Sequence, residues 1–328
     1  MTRAIVARAP TRLDLGGGWT DVPPYPEREG GVVCSVAIAR YATAVAALDL
    51  DAARTSGLPE PGRDALTTAA LRRANIPGAI AGVSADYPAG AGLGGSSACG
   101  VALACALAAL RGLRPTPDEL ASLSRATEVE DVGVAGGYQD HWAAAYGGAL
   151  LLTFTDCVGV EYLTLPAGTA EGLERRGLLL YTGESRLSGS TIAAVRDAYV
   201  AGEARTVGAL ARMKALALEM AESLRAGDVD TLGRQLSEHW VHQRALHPSI
   251  TTARIDAIVE AAARAGALGV KALGASGGGC VLAIAARGRE EELAHAIAPH
   301  GERLAYTIDW RGVQLVDGAP TPGAGSPA

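Results

Sequence analysis

The sequence predicts a globular protein that mixes α-helices with β-strands in two domains. Its 328 residues are 48% hydrophobic and 20% charged, enough for two modest cores and unlike a disordered chain. Short Val- and Ala-rich runs typical of strands occur in both halves, together with longer Ala- and Leu-rich runs typical of helices. A polar stretch at 167–176 separates the halves, so we predict domains at 1–170 and 171–316 and a disordered Pro/Gly/Ser-rich tail at 317–328.

The first half predicts seven strands and four helices. Two Val- and Ala-rich runs, 31–38 and 41–50, are expected to be separate, paired strands. The other predicted strands are 4–8, 12–15, 82–87, 148–154 and 160–165. The predicted helices are 66–73, 98–110, 117–130 (starting near Thr116 or Pro117) and 140–146.

The second half predicts more helix than strand. The region 189–226 is expected to form two helices with a break near Gly202, and Gly266 is expected to end a later helix. The remaining predicted helices are 229–246, 255–265 and 290–297. The predicted strands are 177–182, 280–286 and 304–309, with a glycine-rich loop at 272–279.

Bulk properties exclude several classes of protein. The net charge of −6 and the lack of a long basic run argue against a nucleic-acid partner. The longest apolar run, near 101–110, is much shorter than the roughly 20 residues that cross a bilayer. The five cysteines form no Cys-x-x-Cys pair, and the start of the chain does not resemble a signal peptide. We therefore expect a cytoplasmic protein that is not a membrane protein.

A glycine-rich loop between Tyr87 and Gly100 is the most informative stretch. Its glycines at 90, 92, 94 and 95 are followed by Ser96 and Ser97 and then by the predicted helix 98–110. Glycines bring backbone N–H groups close to a ligand, and a helix N-terminus favours an anion, so the loop predicts a phosphate site. A tight turn with a serine cap is the alternative. The pattern Gly-x-Gly-x-x-Gly also suits a dinucleotide, but no strand with a following acidic residue is predicted next.

Three further segments contain groups suited to chemistry. Arg12–Asp21 is a strand ending in three glycines, which would bring carboxylates and a Trp to a loop mouth suited to sugar hydroxyls. Glu128–His141 offers two carboxylates, as phosphoryl transfer to an alcohol requires for Mg²⁺ and for a base. Gly274–Cys280 is rich in glycine and allows close backbone approach. An ordinary hairpin, a solvated helix end and a tight connection are the respective alternatives.

The four segments together resemble the motifs of the GHMP kinases, a family that includes galactokinase, homoserine kinase, mevalonate kinase and phosphomevalonate kinase. Pro88-Ala-Gly-Ala-Gly-Leu-Gly-Gly-Ser-Ser-Ala resembles the family's phosphate loop, and the other segments occur in family order over about residues 4–310. The resemblance implies an α+β fold. It consists of an N-terminal domain like domain 2 of ribosomal protein S5 and a C-terminal ferredoxin-like domain, with the site between them.

The resemblance also implies roles for individual residues. Asp140 is expected to be the base and Arg12 the cation at the reacting hydroxyl. Mg²⁺ is expected on Ser96 and Glu130, with Ser97 and Glu128 as the alternatives. Residues expected to bind the ATP phosphates are Pro88, Gly90, Gly92, Leu93, Gly94, Gly95, Ser96 and Ser97. Residues expected to bind the substrate are Asp14, Gly18, Trp19, Asp21, Gly137, Arg186 and Gly277.

Two branches of the family match about equally well. Gly17-Gly-Trp-Thr-Asp-Val-Pro-Pro resembles fucokinases, Trp240–Gly279 resembles heptose 7-phosphate kinases, and Thr182–Arg186 resembles a segment that both branches share. We predict an ATP- and Mg²⁺-dependent kinase for the anomeric hydroxyl of a heptose 7-phosphate, with an L-fucokinase-like or other sugar 1-kinase as the alternative. A monomer or homodimer is expected.

Three other readings of the chain are considered. A non-catalytic sugar sensor would be expected to lose Arg12 or Asp140, and both are present. A nicotinamide enzyme and a mevalonate diphosphate decarboxylase are the remaining alternatives. His239 and His242 lie one helical turn apart, but no third metal ligand is evident for them.

Overall fold

The computed structural model describes residues 4–57, 60–184 and 189–316, which form two antiparallel β-sheets with helices packed against them. The predicted disordered tail, 317–328, lies outside the described residues. None of the described helices is both long enough and apolar enough to cross a membrane.

The first sheet contains six of the described strands. They are β1 (Ile5–Gly16), β2 (Gly31–Ala47), β3 (Ile80–Ala85), β4 (Ala149–Phe154), β5 (Val158–Tyr162) and β10 (Gln314–Val316). The strand order is β10-β1-β2-β4-β5, and β3 pairs with one end of β2. β1 therefore lies in the body of the sheet, and its far end, Gly16, leads into the glycines at 17 and 18.

The prediction of two paired strands at 31–38 and 41–50 is wrong, because the residues form the single strand β2. One half of β2 pairs with β4, and the other half pairs with β3. Arg40 interrupts the apolar pattern where β2 changes partner, and its guanidinium donates to the carbonyl of Ala305 at 2.8 Å. The polar residue thus marks a change of neighbour rather than a turn.

The helices of the first half of the chain pack on both faces of the first sheet. They are α1 (Tyr25–Glu29), α2 (Leu50–Thr55), α3 (Ala65–Ala74), α4 (Gly95–Leu110), α5 (Pro117–Ala126) and α6 (Gln139–Tyr146). The Thr116 side chain and Glu119 form a capping box that starts α5, as the Thr-Pro sequence predicts. α4 is almost entirely buried, and its alanines let it lie close to β1 and β2. This packing fixes the N-terminus of α4 at the edge of the sheet.

The second sheet contains four of the described strands in the order β7-β8-β6-β9. They are β6 (Gly177–Tyr181), β7 (Ala267–Ala272), β8 (Cys280–Ala285) and β9 (Glu302–Leu304). The sequence analysis missed β7. The helices of this part are α7 (Thr169–Arg176), α8 (Gly189–Val200), α9 (Ala204–Ala226), α10 (Val229–Ala245), α11 (Ala253–Arg264) and α12 (Glu290–Ile297).

The polar stretch chosen as the domain boundary is mostly helix α7, so the predicted limit at 170/171 falls inside an element. The chain also returns to the first sheet at its end. Ile308 bridges to Ile38, and Val316 pairs with Val6 on β1. The predicted strand 304–309 is wrong, because only 302–304 forms a strand there. The domain limits themselves stay a prediction.

One buried cluster joins the two sheets. Leu13 and Leu15 of β1 pack with Met220 of α9 and with Leu282 of β8. Because β1 ends at this junction, the polar residues that follow it meet loops from both halves of the chain.

Candidate active site

The loop between β3 and α4 has the geometry of an anion site. Gly90, Gly92 and Gly94 have φ values of +68°, +72° and +72°, a region that glycine occupies without strain. Gly94 precedes α4, and no side chain caps the helix. The first N–H groups of α4 are therefore available to an anion, and the helix dipole favours negative charge there.

The glycine-rich segment Gly274–Cys280, called the third glycine segment below, packs directly on the phosphate loop. The amide of Cys280 donates to the carbonyl of Ala91 at 2.8 Å. A Cβ on Gly92 would lie 2.7 Å from the carbonyl oxygen of Leu273, and one on Gly279 would lie 2.8 Å from that of Ala91. The two backbones touch, so side chains at these positions would separate them.

Gly95 stands where the family often has its first serine. A Cβ on it would lie 2.4 Å from Cε2 of Tyr87, and the Tyr87 hydroxyl donates to the Gly95 carbonyl at 2.8 Å. The ring of Tyr87 therefore occupies the space that a side chain at position 95 needs. This contact gives a steric reason for the glycine.

Ser96 and Ser97 both point at Glu128. The Ser96 hydroxyl donates to one carboxylate oxygen of Glu128, and the Ser97 hydroxyl donates to the other at 3.0 Å. Burial raises the pKa of Glu128, but hydrogen bonds from His141 and both serines outweigh it, so the pKa lies below its usual value. Glu128 is therefore an ionised carboxylate at the N-terminus of α4.

Glu130, the first choice for Mg²⁺ in the sequence analysis, lies elsewhere. Its side chain is 64% exposed and pairs with Arg73 at 3.0 Å. The residues Thr127–Asp131 form a π-helical turn after α5, and such a turn shifts the helical phase by about one residue. Glu128, the alternative, follows Ser124 by four positions and lies on the same buried face, where it meets the serines.

His141 lies behind Glu128. Its Nε2 is 3.2 Å from the carboxylate, and its Nδ1 is 2.9 Å from the hydroxyl of Ser124. The structure places it among Glu128, Ser97 and Ser124, where it orients the carboxylate.

These groups suit Mg²⁺ in the manner of a nucleotide-bound ion. No group of three His, Cys, Asp or Glu side chains within the described residues could hold a metal by itself. Mg²⁺ commonly binds through one or two protein oxygens, with phosphates and waters completing its octahedron. Ser96 and Glu128 supply such oxygens beside the anion site, so the residues present fit the ion.

Arg12 and Asp140 meet at the same place. The Arg12 guanidinium contacts Asp140 Oδ1 through Nη2 at 2.6 Å and through Nε at 2.8 Å, and its Nη1 donates to the Gly92 carbonyl at 2.7 Å. The Asp140 side chain is 30% exposed and lies in the first turn of α6. A cation, a partly exposed carboxylate and the phosphate loop are therefore in contact with one another.

Asp21 holds the helix that carries Asp140. Asp21 Oδ2 accepts hydrogen bonds from the amides of Tyr138 and Gln139 at 2.8 and 3.0 Å. Burial raises the pKa of Asp21 to about 6, although these hydrogen bonds act in the opposite direction. A Cβ on Gly137 would lie 2.0 Å from Asp21 Oδ2, so the glycine permits this approach.

The remaining predicted substrate residues lie in several settings. Asp14 is buried and paired with Lys271 at 3.0 Å, and a Cβ on Gly18 would lie 2.4 Å from the same Asp14 oxygen. Trp19 is only 6% exposed and belongs to a buried hydrophobic cluster with Tyr199 of α8 and Leu210 of α9. This burial favours a packing role. Arg186 lies outside the described residues.

The third glycine segment contains the last of these residues. Gly277 has φ +81°, and its amide donates to the carbonyl of Ile250 at 2.8 Å. Ser276, which stands where the family has a glycine, has φ +68° and contacts Gln243 at 3.1 Å.

Two site residues escaped the sequence analysis. Lys271 was noted only as part of a motif, and His239 was considered only as a metal ligand. Lys271 donates to the carbonyls of Asp14 and Leu15 at the end of β1, and His239 accepts from the amide of Gly17 just after it. A lysine within the apolar run Val270–Leu273 is the signal that could have revealed a buried partner.

Comparison with known proteins identifies the family. The family model for the N-terminal domain of GHMP kinases matches residues 64–148, and the model for their C-terminal domain matches residues 220–302. The chain belongs to the GHMP kinase family. The resemblance seen in the sequence is thus confirmed, as is the assignment to a family of ATP-dependent phosphotransferases that act on an alcohol group.

Two curated relatives in this family are sugar kinases. The chain is 31% identical to the D-glycero-alpha-D-manno-heptose 7-phosphate kinase of Campylobacter jejuni over 59% of its own length and 57% of the relative's. It is 25% identical to the L-fucokinase/L-fucose-1-P guanylyltransferase of Bacteroides fragilis over 94% of its own length and 38% of the relative's. The chain thus spans roughly two-fifths to three-fifths of the length of these relatives.

A solved structure confirms the fold. The D-glycero-D-manno-heptose 1-phosphate kinase of Bacteroides thetaiotaomicron superposes with a TM-score of 0.75 at 24% identity, covering 96% of this chain and 99% of the other. The α+β GHMP kinase fold expected from the motifs is therefore correct. The dinucleotide reading of the glycine loop is wrong, because the described strand pairs are antiparallel and α4 leads into α5.

Proposed function

We propose that this GHMP kinase transfers the γ-phosphoryl group of ATP to the anomeric hydroxyl of a heptose 7-phosphate. The observation that carries the proposal is the Arg12–Asp140 pair at the opening of the phosphate loop. It joins a cation and a base to an anion site, the combination that phosphoryl transfer to an alcohol requires.

Each group has a separate task in this proposal. Asp140 orients the sugar hydroxyl and accepts its proton, and Arg12 fixes the Asp140 carboxylate while stabilising the charge that develops on the transferred group. The backbone of 90–97 and the N-terminus of α4 hold the phosphates. Asp21 fixes α6 and thereby the position of Asp140.

Ser96 and Glu128 are our proposed protein ligands for Mg²⁺. When bound, the ion neutralises phosphate charge. Glu128 replaces Glu130 in this role because it contacts both serines, whereas Glu130 pairs with Arg73. His141 and Ser124 keep the Glu128 carboxylate in place.

An assay of several candidate substrates tests the proposal. ADP release from Mg-ATP is measured with heptose 7-phosphate, fucose, galactose, mannose, glucuronate and mevalonate, and ³¹P NMR locates the new phosphate. One strong substrate, phosphorylated at its anomeric oxygen, is the expected result. ATP binding without turnover of any of these compounds would contradict the proposal and favour a sugar sensor.

An L-fucokinase-like activity is the second candidate. The observation in its favour is the match to the Bacteroides fragilis relative, which extends over 94% of this chain. Arg186, proposed to face a phosphate on the substrate, separates the two. Arg186→Gln is expected to raise the KM for heptose 7-phosphate and to leave turnover of an unphosphorylated sugar unchanged. A cytoplasmic location and a monomeric or homodimeric state stay predictions.

A further inference from the structure

The end of β1 and the glycine segment that follows it are both held by side chains from the second half of the chain. Lys271 of β7 donates from Nζ to the carbonyls of Asp14 and Leu15 at 2.6 and 3.3 Å, and its ammonium lies 3.0 Å from Asp14 Oδ2. His239 of α10 accepts a hydrogen bond at Nε2 from the amide of Gly17 at 2.9 Å. We call Lys271 and His239 the loop anchor.

The loop anchor is completely buried. Both side chains have no exposed surface, and burial lowers the pKa of His239 well below 6.5, with the charge of Lys271 acting in the same direction. The imidazole is therefore neutral, and its Nε2 keeps the lone pair that accepts from Gly17. A buried charge survives only with partners, and Lys271 has three oxygens around it.

The glycines of the segment have no room for side chains. A Cβ on Gly16 would lie 2.4 Å from Sδ of Met220, and one on Gly17 would lie 1.9 Å from the carbonyl oxygen of Val32. The Thr20 hydroxyl donates to the Gly17 carbonyl at 2.7 Å. The segment is therefore clamped between β2 on one side and α9, α10 and β7 on the other.

The clamped segment leads directly to the reacting groups. Asp21 follows Thr20 and binds the first amides of α6, the helix that carries Asp140. A shift of Gly17 would thus move the rest of residues 16–21, where the sugar is predicted to bind, and Asp21 with them. The nucleotide loop at 90–97 contacts neither residue of the loop anchor in the hydrogen-bond network of the described residues.

We propose that Lys271 and His239 are positioning residues that hold residues 14–21, the end of β1 and the loop after it, in the sugar-binding conformation, so that α10 and β7 set the affinity for the sugar. The proposal rests on the proposed function, because a sugar is taken as the ligand of this segment. It assigns no contact between the loop anchor and the substrate. Its effect is confined to the sugar and spares ATP.

A matched pair of variants at position 239 tests the proposal. In His239→Phe the ring shape is nearly kept but the acceptor is lost, whereas His239→Gln supplies an oxygen that can accept from Gly17. His239→Phe is expected to raise the KM for the sugar at least tenfold with the KM for ATP within twofold of wild type. His239→Gln is expected to restore most of the sugar affinity.

Ser223→Ala is the structural control. The Ser223 hydroxyl joins α9 to α10 through Gln235 at 3.0 Å and lies outside the loop anchor. Its loss is expected to lower the melting temperature without changing the KM for the sugar. A folded His239→Phe protein with an unchanged KM for the sugar, or with equal increases for the sugar and ATP, would overturn the proposal.

Hydrogen exchange gives a second readout that needs no substrate. Amides in 16–20 are expected to exchange at least tenfold faster in His239→Phe than in wild type, and His239→Gln is expected to remain close to wild type. If wild type phosphorylates no sugar, but exchange is still faster in His239→Phe than in wild type, the proposed function is refuted and the role of the loop anchor is not. Unchanged exchange in His239→Phe would refute the role of the loop anchor.

Lys271→Met extends the test to the other residue. It leaves the Asp14 carboxylate buried and unpaired, and breaking such a pair is strongly destabilising. If the variant folds, a raised KM for the sugar with an unchanged KM for ATP is expected, and an unchanged KM for the sugar would count against the proposal. If it does not fold, the variants at position 239 decide the question.

Discussion

Arg12 and Asp140 are separated by 128 positions in the chain, yet their charged groups lie 2.6 Å apart at the mouth of the phosphate loop. Arg12 is buried near the middle of the first sheet, and Asp140 begins a helix that Asp21 holds at its N-terminus. The geometry of the pair therefore depends on β1, on α6 and on the loop that contains Asp21, so a change in any of the three would alter it.

The first prediction concerns the proton acceptor. Asp140→Asn keeps the shape of the side chain but cannot accept a proton from the sugar hydroxyl. We expect kcat to fall by a factor of about 10²–10⁴, the usual contribution of a general base. ATP binding, measured by calorimetry, is expected to remain. Turnover near the wild-type rate, with ATP binding intact, would show that another group takes the proton.

The second prediction separates the two candidate Mg²⁺ ligands. Glu128→Gln removes the charge beside Ser96 and Ser97, so the Mg²⁺ concentration for half-maximal activity is expected to rise roughly tenfold or more. Glu130→Gln, whose carboxylate pairs with Arg73 at the surface, is expected to stay within about twofold of wild type.

The electron paramagnetic resonance of Mn²⁺ bound with a non-hydrolysable nucleotide provides an independent measurement. It is expected to change in Glu128→Gln and to remain unchanged in Glu130→Gln. The reverse pattern would restore Glu130 as the ligand.

The third prediction uses two glycines with nearly the same backbone conformation. Gly94 has φ +72° and Gly112 has φ +75°, so alanine at either position is expected to cost about 1–2 kcal/mol of unfolding free energy. A Cβ on Gly94 would lie 3.1 Å from Cγ of Asp140, whereas a Cβ on Gly112 meets nothing within 4 Å.

Only Gly94→Ala is therefore expected to lower kcat, because only it displaces Asp140. Thermal unfolding and steady-state kinetics on both variants check this expectation. An equal loss of activity in both would mean that helix stability, and not crowding of Asp140, limits the reaction.

The fourth prediction concerns pH and stability. The pKa of Asp21 is raised from 3.8 to about 6 in the folded protein, so the folded state binds this proton more tightly than the unfolded state. The associated stability is present below about pH 4 and is lost as the pH rises through 6. The shift corresponds to roughly 3 kcal/mol.

Asp21→Asn removes this titration while keeping an oxygen that can accept from the α6 amides. In urea unfolding, the free energy of unfolding of wild type is expected to fall between pH 4 and pH 7. In Asp21→Asn the fall is expected to be smaller by roughly 3 kcal/mol. Parallel pH profiles for the two proteins would show that Asp21 has an ordinary pKa.

The sequence predicted the local features of the site and missed the relations across the chain. The glycine spacing at 90–95 indicated a phosphate loop because glycine chemistry is local. Glu128, unlike Glu130, follows the buried Ser124 by four positions, so the regular helical period places it on the face that meets the serines. The pairing of Lys271 with Asp14 spans 257 positions, and a single sequence contains no record of such a contact.

The errors in the fold have a similar origin. The two strands predicted at 31–38 and 41–50 are separated by Ala39 and Arg40, where the apolar run is interrupted. The strand in fact changes partner there, and Arg40 binds the carbonyl of Ala305 from far along the chain. β7 was missed because the glycines that follow Ala272 dominated the interpretation of that region.

The pairing of β10 with β1 has a consequence for synthesis of the protein. Val6 is synthesised 310 positions before its partner Val316. The edge of β1 that pairs with β10 therefore stays open on the ribosome until Gln314–Val316 has emerged. Nascent chains that stop short of Gln314 would expose an unpaired apolar strand edge, a surface to which chaperones and other unfinished chains bind.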